Sequence, residues 1–323
     1  MLILDGMDVR AALTMEDCIE AVREALKIFA RRECEQFPRF QLKPATAAPL
    51  MGLMPAFQGG DMPVWCLKDV LVASGNRARG LDSHQGVILL HDGTTGEPLA
   101  VVDATAITAV RTAATSAVAT LALARPDARR IAILGSGTQA RAHIDALRIA
   151  LPGAEIVLWA RSPGQAGRLA EEAGCRLAST IEDAVVDADI ICTVTGAREP
   201  LLRRDWLKAG CHINAVGASS PQARELGTDI VASAAFFVDS RAQAMVECGE
   251  LLLPMREGAI GEDHIRGEIG EVLVGARPGR SSADALTVFK SLGMAVEDMA
   301  AAVCALRNAK TMGIGQEIRW RAG

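Results

Sequence analysis

Arg130-Ile131-Ala132-Ile133-Leu134-Gly135-Ser136-Gly137-Thr138-Gln139-Ala140 decides the fold class of this chain. The apolar run Ile131 to Leu134 breaks at Gly135, turns through Gly137 and becomes helical from Thr138. A strand, a tight glycine turn and a helix N-terminus in that order leave backbone N–H groups exposed beside a helix dipole, which together make a site for a pyrophosphate. Gly135 permits the turn, Gly137 lets the backbone approach the phosphates, and the small Ala140 lets helix pack on strand. A bare G-x-G-x-x-A pattern is common by chance, so its surroundings have to carry it. The alternative is an ordinary strand-to-helix turn of an α/β protein.

Downstream of that turn the sequence alternates between strand and helix patterns. Strand candidates are Ile131–Leu134, Glu155–Trp159, Ile190–Thr193, His212–Val216 and Phe236–Val238. Such alternation predicts a parallel sheet covered on both faces, a doubly wound Rossmann-type α/β fold. Upstream, Thr14 to Arg32 reads as an amphipathic helix, with Ile19, Val22, Leu26 and Phe29 at helical spacing behind a Thr14 cap. Arg39 to Lys68 is rich in Pro, Gly and Met and shows only short apolar pieces. Val87–Leu90 and Leu99–Val102 read as strands joined by the turn Asp92 to Gly96. Ile107 to Leu123 is a small-residue helix suited to linking two domains. A last helix, Val296 to Arg307, follows the final strand and is expected to return to the first domain.

A chain of 323 residues, 50% hydrophobic and 23% charged, suits a globular protein of two domains. The net charge of -5 is mild and the basic residues are scattered. Without a Lys/Arg block or aromatic ladder, nucleic acid is not an expected partner. The longest apolar stretches read as short and flanked by charges, so no membrane span is expected. The N-terminus lacks the basic start and apolar core of a signal peptide. The 8 cysteines are widely separated and form no C-x-x-C pair, which points to buried thiols in a reducing, cytoplasmic compartment and to no metal site. There is no tyrosine, which removes the Tyr/Lys acid pair of many nicotinamide-dependent reductases.

The second strand of the alternating region ends at Trp159-Ala160-Arg161-Ser162. An NAD-selective site places Asp or Glu here against the ribose 2′-OH, whereas Arg161 and Ser162 suit a 2′-phosphate. NADP(H) is therefore preferred, with NAD(H) as the alternative and a solvated surface role for Arg161 still open. Three cations of the N-terminal region, Arg39, Lys68 and Arg111, sit within apolar sequence. A cation there is costly to bury without an anionic partner, and a small carboxylate substrate would be one. Snorkelling at the surface is the competing reading for each.

Several further motifs occur in order: Leu81-Asp82-Ser83-His84-Gln85-Gly86-Val87, Ile107-Thr108-Ala109-Val110-Arg111-Thr112-Ala113-Ala114, His212-Ile213-Asn214-Ala215-Val216-Gly217-Ala218-Ser219, Glu225-Leu226, Gly267-Glu268-Ile269-Gly270-Glu271-Val272, and Val288-Phe289-Lys290-Ser291-Leu292-Gly293-Met294-Ala295-Val296-Glu297-Asp298. With the glycine turn, they make the chain resemble the ornithine cyclodeaminase/mu-crystallin family over nearly its whole length. The resemblance implies a Rossmann domain over residues 114–295. It implies a second, α+β substrate-binding and homodimerising domain built from both chain ends, 1–113 and 296–323. Arg39, Lys68 and Arg111 match the family's substrate-carboxylate and active-site positions. Thr193, Val194, Thr195, the strand end at Ala215 and Val216, and Ser291 match positions lining the cofactor.

One departure separates branches of the family. Cyclodeaminases and alanine dehydrogenases of this family place an Asp where this chain has Ser219, and a neutral hydroxyl cannot replace that carboxylate as a base. The Ser219 version resembles the ketimine reductase branch. The implied reaction is NAD(P)H-dependent reduction of a cyclic imino acid, Δ1-pyrroline-2-carboxylate or Δ1-piperideine-2-carboxylate, to proline or pipecolate. Lys68 is the first candidate for proton donor, its pKa lowered by Arg39, Arg111 and burial, and His84 is the second. Ser219 would bond the substrate nitrogen or a water, and Asp298 reads as a helix cap. The competing readings are a cyclodeaminase or amino-acid dehydrogenase, and a crystallin-like protein that binds the cofactor without turnover.

Overall fold

Two patterns of burial organise the chain, one set by a mostly antiparallel sheet and one by a parallel sheet. The computed structural model describes residues 1–46 and 49–320. It divides into Met1–Arg111 with Met294–Gly323, and Thr112–Gly293. The sequence reading put these boundaries at 113/114 and 295/296, and residues 321–323 of its first domain lie outside the described residues.

The first unit contains β1 (Leu2–Leu4), α1 (Gly6–Ala12), α2 (Met15–Ala30), β2 (Cys34–Gln36), β3 (Phe40–Leu42), β4 (Leu50–Gln58), β5 (Val64–Val72), β6 (His84–Asp92) and β7 (Pro98–Asp103). Helix α3 (Ala104–Leu123) follows, and the division between the units falls within it. The second unit contains β8 (Arg130–Leu134), α4 (Thr138–Ala150), β9 (Glu155–Trp159), α5 (Pro163–Ala173), β10 (Arg176–Leu177), α6 (Ile181–Val185), β11 (Ile190–Thr193), β12 (His212–Ala215), α7 (Thr228–Ser233), β13 (Ala235–Val238), α8 (Arg241–Glu247), α9 (Gly249–Arg256), β14 (Ile265–Glu268), α10 (Ile269–Leu273) and β15 (Thr287–Lys290). The chain closes with α11 (Ala295–Met312) and β16 (Gln316–Glu317) in the first unit.

In the first unit the strand order is β16-β1-β7-β6-β5-β4-β2, with β3 also paired to β4. Helix α2 starts where Thr14 Oγ1 accepts the Asp17 N–H at 3.1 Å, and it buries Cys18, Ile19, Val22, Ala25 and Leu26. Helix α11 packs on α2 and against β4, β5 and β6. The period-two alternation of strands then sorts side chains between faces. On β5, Val64, Cys66, Lys68 and Val70 are buried, whereas Trp65 and Leu71 are exposed. A lysine thus stands in a row otherwise made of apolar residues. The Arg39–Lys68 stretch, read only as short apolar pieces, forms the nine-residue strand β4 and the first half of β5. Pro55 and Gly52 inside β4 had masked that strand, because both residues are poor strand formers.

The second unit carries one sheet in the order β10-β9-β8-β11-β12-β15-β13-β14, and every described pair in it is parallel. This is the expected doubly wound arrangement. Ile131 and Ile133 of β8 join a core with Ile144 and Leu147 of α4. Ala132 and Leu134 face the other way, into a core with Ile213, Phe236 and Val288. The direction of winding reverses between β8 and β11, and such a switch point leaves a crevice at the carboxyl ends of the strands. Strand β15, central in this sheet, went unread because four buried residues cannot be told from a helix fragment by periodicity.

The expectation that no segment is long enough to cross a membrane needs correction. Helix α3 has 20 residues and a mean hydropathy of 1.4 over its most apolar window, enough by length and composition. Of that window 72% is buried within the protein, as in a core helix. Its composition answers to packing: Ala113, Ala114, Ala117 and Val118 are fully buried small side chains. Two histidines are buried in the second unit. His143 donates to the Gln139 carbonyl at 2.7 Å, and burial pushes its pKa down to about 4. Burial likewise holds His212 at about 3 beside Thr287 and Asn214, so both rings are neutral at pH 7 and serve as packing groups.

Candidate active site

Lys68 lies in the middle of β5, between Met54 and Ile88 of the neighbouring strands. Its ammonium donates to Thr108 Oγ1 at 2.6 Å and to Asp298 Oδ1 at 2.8 Å. The Thr108 hydroxyl gives its own proton to the Ala104 carbonyl at 2.6 Å, so it can only accept from Lys68. Arg111 stands one turn beyond Thr108 on α3, and residues three apart share a helix face. Its Nε donates to the same Asp298 oxygen at 2.9 Å, and its Nη1 donates to Glu297 Oε2 at 3.0 Å. Both carboxylates come from the first turns of α11 and are fully buried.

The electrostatics follow from this packing. Burial pushes the Lys68 pKa down, the Asp298 carboxylate pushes back, and Arg111 and Arg39 add to the lowering, which leaves the ammonium at about 8. Burial alone would raise the Asp298 carboxyl, but Arg111 and Lys68 outweigh it and hold it below its ordinary value. Asp298 is therefore a carboxylate at neutral pH, and Lys68 is an acid poised to release its proton slightly above it. Arg39, half-buried between β2 and β3, runs its stem across Gly52. A Cβ at Gly52 would come within 3.3 Å of Arg39 Cδ, so a side chain there would crowd the arginine.

Of the other two candidates, one belongs to each unit. His84 is exposed at the start of β6, opposite Val72 rather than Lys68, with its Nδ1 3.1 Å from Ser83 Oγ. Ser219 belongs to the second unit and is exposed in the loop after β12. Asp298 departs from its expected role as a cap. Helix α11 begins at Ala295, and the carboxylate that receives the Met294 N–H, at 3.3 Å, is that of Glu297. The Asp298 side chain turns to Lys68 and Arg111 instead. A signal for this was present in the sequence: two adjacent acidic residues in a helix whose first half is otherwise Ala, Val and Met demand cations if that half is buried.

In the second unit, Gly135 adopts φ +138°, and a Cβ there would sit 2.6 Å from the Val194 carbonyl oxygen. Gly137 precedes α4 with no side-chain cap, and a Cβ on it would meet nothing within 4 Å. No acidic residue stands in the first turn of α4. Open space over an uncapped helix N-terminus, beside exposed Thr138, fits a pyrophosphate. Gln139 is half-buried there, and Ala140 is buried in the β8–α4 core. Arg161 and Ser162 are exposed at the end of β9, and Ser162 opens α5 without bonding its backbone.

The remaining expected cofactor positions gather at the carboxyl ends of β11, β12 and β15. Thr193 and Ala215 are buried, and Val194, Thr195 and Val216 are half-buried. The Ser291 N–H bonds the Ala215 carbonyl at 3.1 Å. Both threonine hydroxyls donate to Glu225, a residue the sequence reading quoted without giving it a role. Among the described residues, no group of three His, Cys, Asp or Glu side chains could hold a metal ion.

A doubly wound sheet with an open glycine turn at its switch point, in a chain that also carries a second unit, defines a two-unit dinucleotide-binding protein. A profile of the ornithine cyclodeaminase/mu-crystallin family matches residues 1–312, and the chain belongs to that family. It is 42% identical to ketimine reductase mu-crystallin of Mus musculus over 254 residues, 78% of each chain. It superposes on Thermococcus litoralis Δ1-pyrroline-2-carboxylate reductase in complex with NADH and L-proline at a TM-score of 0.93, with 32% identity and coverage of 98% of this chain and 100% of that one. An archaeal alanine dehydrogenase dimer with bound NAD gives a TM-score of 0.93 at 31% identity, covering 99% of both chains.

Asp298→Asn removes one partner of a buried ion cluster. It is expected to lower the unfolding free energy by about 3–5 kcal/mol. Urea denaturation followed by circular dichroism measures it, and a change below ~0.5 kcal/mol would contradict the cluster.

Proposed function

We propose that this protein reduces the C=N bond of a cyclic imino acid, Δ1-pyrroline-2-carboxylate or Δ1-piperideine-2-carboxylate, to proline or pipecolate with NAD(P)H. The observation that carries this reading is the buried Lys68, an acid with a pKa of about 8, held between Asp298 and Arg111. Reduction of an imine needs a hydride at carbon and a proton at nitrogen. The dinucleotide, its pyrophosphate held by the Gly135–Gly137 turn and the start of α4, would supply the hydride from its nicotinamide. Lys68 supplies the proton from the one N–H not committed to Thr108 or Asp298, and recovers it from solvent.

Charge fits the same substrate. Arg111 and Arg39 both act on Lys68 electrostatically and help to lower its pKa. A substrate carboxylate suits these cations, because guanidinium groups match its planar geometry. The absence of tyrosine leaves Lys68 as the acid that the packing prepares, with His84 as an exposed second. Ser219 in place of an acidic residue supports reduction over deamination, since a hydroxyl offers no base at neutral pH.

NADP(H) is the preferred cofactor in this reading, because Arg161 and Ser162 end β9 where a carboxylate would select NAD(H). The protein is read as a homodimer. Phe40, Leu42, Trp65, Leu71 and Val87 are exposed apolar side chains on β3, β5 and β6, a patch of the kind that marks an interface. A cytoplasmic location is supported by eight cysteines that are all free thiols.

The test is NADPH oxidation with each imine, with ornithine plus NAD as the contrast. Rapid oxidation with either imine and no ammonia from ornithine is expected. Ammonia and proline from ornithine would overturn the reading. Arg161→Ala should raise the KM for NADPH about ten-fold and leave that for NADH unchanged, as loss of one charge-assisted contact predicts. An unchanged preference would remove Arg161 from the cofactor site.

A further inference from the structure

A fully buried acidic and basic cluster in the second unit takes no part in the chemistry above. Glu225 Oε2 accepts from Thr193 Oγ1 at 2.7 Å and from the Gly217 N–H at 2.7 Å. Its Oε1 accepts from the Thr195 N–H at 2.9 Å and from Thr195 Oγ1 at 2.7 Å. One carboxylate therefore ties the end of β11 to the end of β12 through four bonds. The Glu225 N–H in turn donates to Glu250 Oε1 at 2.9 Å, and Glu250 Oε2 lies 3.3 Å from Lys290 Nζ. Lys290 ends β15 and donates to the Ala218 carbonyl, immediately before Ser219. Glu225, Glu250 and Lys290 are all 0% exposed.

The approach is as close as the backbone allows. A Cβ on Gly217 would sit 2.2 Å from the Thr195 carbonyl oxygen and 2.5 Å from Glu225 Oε1, so only glycine lets the two strand ends meet on that carboxylate. The three strands so tied lie on the far side of the switch point from β9. In a doubly wound dinucleotide site the adenosine half takes the β9 side, and the nicotinamide half takes the other.

We propose that Glu225, Glu250 and Lys290 form a buried clamp that positions the nicotinamide half of the dinucleotide site, acting through the ends of β11, β12 and β15 without touching the ligand. The inference rests on the dinucleotide-dependent reading given above. Because Thr193 and Thr195 spend their hydroxyl protons on Glu225, they offer the ligand only acceptor lone pairs. Glu225→Gln tests the clamp with little change in shape. A glutamine has one acceptor oxygen where the carboxylate has two, so in either amide orientation one backbone N–H, of Thr195 or of Gly217, loses its partner.

Calorimetric titration reads affinity and the fraction of competent protein separately. For Glu225→Gln, the Kd for NADPH is expected to rise at least ten-fold. Binding of 2′-phospho-ADP-ribose, which lacks the nicotinamide, should stay within two-fold, and the stoichiometry should not change. An unchanged NADPH Kd overturns the proposal. So does equal weakening of both ligands, or a drop in stoichiometry alone, since a merely structural role predicts those results. If Glu225→Gln does not fold, Lys290→Met/Glu250→Gln, which removes one charge of each sign, is expected to show the same split. A wild type that binds NADPH but reduces no imine overturns the functional reading, while the titration still decides the clamp. A wild type that binds no dinucleotide overturns both.

Discussion

Asp298 Oδ1 accepts from Lys68 at 2.8 Å and from Arg111 at 2.9 Å, and much of the first unit is arranged so that it can. The oxygen belongs to a helix near the end of the chain, and its partners belong to β5 and α3 near the beginning. Burying two cations in a face of apolar side chains is tolerable only when anions meet them there. Helix α11 supplies both anions from adjacent positions, and the same helix packs across β4, β5 and β6. Well-packed hydrophobic residues of similar volume would serve stability as well or better. The proposed chemistry gives the cluster a purpose that stability does not: burial and the two arginines bring the Lys68 pKa down to about 8.

The second unit meets a different constraint, that of an open backbone surface at the switch point of its sheet. Gly137 leaves α4 uncapped, and the ends of β11, β12 and β15 converge on charges hidden beneath them. Arg161 and Ser219 stand exposed on the outer surface, while the tied strand ends lie buried beneath. Rigid support under a precise surface is what hydride transfer requires, because small misplacements of the reacting atoms are costly in rate.

The parallel sheet was legible because its signals are local. The β8–Gly135–Gly137–α4 succession lies in one short segment, and β9, β11, β12 and β13 match their apolar runs to within one residue at each end. Strands β4 and β5 were not legible, because the Pro and Gly of β4 suppress a strand reading that pairing with neighbours restores. The site was half legible. Lys68 and Arg111 stood out as cations in apolar sequence, but their shared partner lies 230 residues from Lys68. At the start of a helix, local capping chemistry gave Asp298 a sufficient explanation, and only the tertiary fold reveals the other. Glu225 was hidden likewise, since its bonds to Thr193 and Thr195 span 32 and 30 residues.

The central claim is that Lys68 is the acid. The most direct measurement is the pH dependence of kcat/KM for imine reduction in the wild type and in Lys68→Arg, whose guanidinium keeps the charge but does not titrate in this range. With the Lys68 pKa at about 8, the wild-type profile should fall above that pH as the ammonium loses its proton, and the fall should be absent from the slower Lys68→Arg enzyme. The same fall in both enzymes would assign the ionisation to the substrate or another residue and contradict the account.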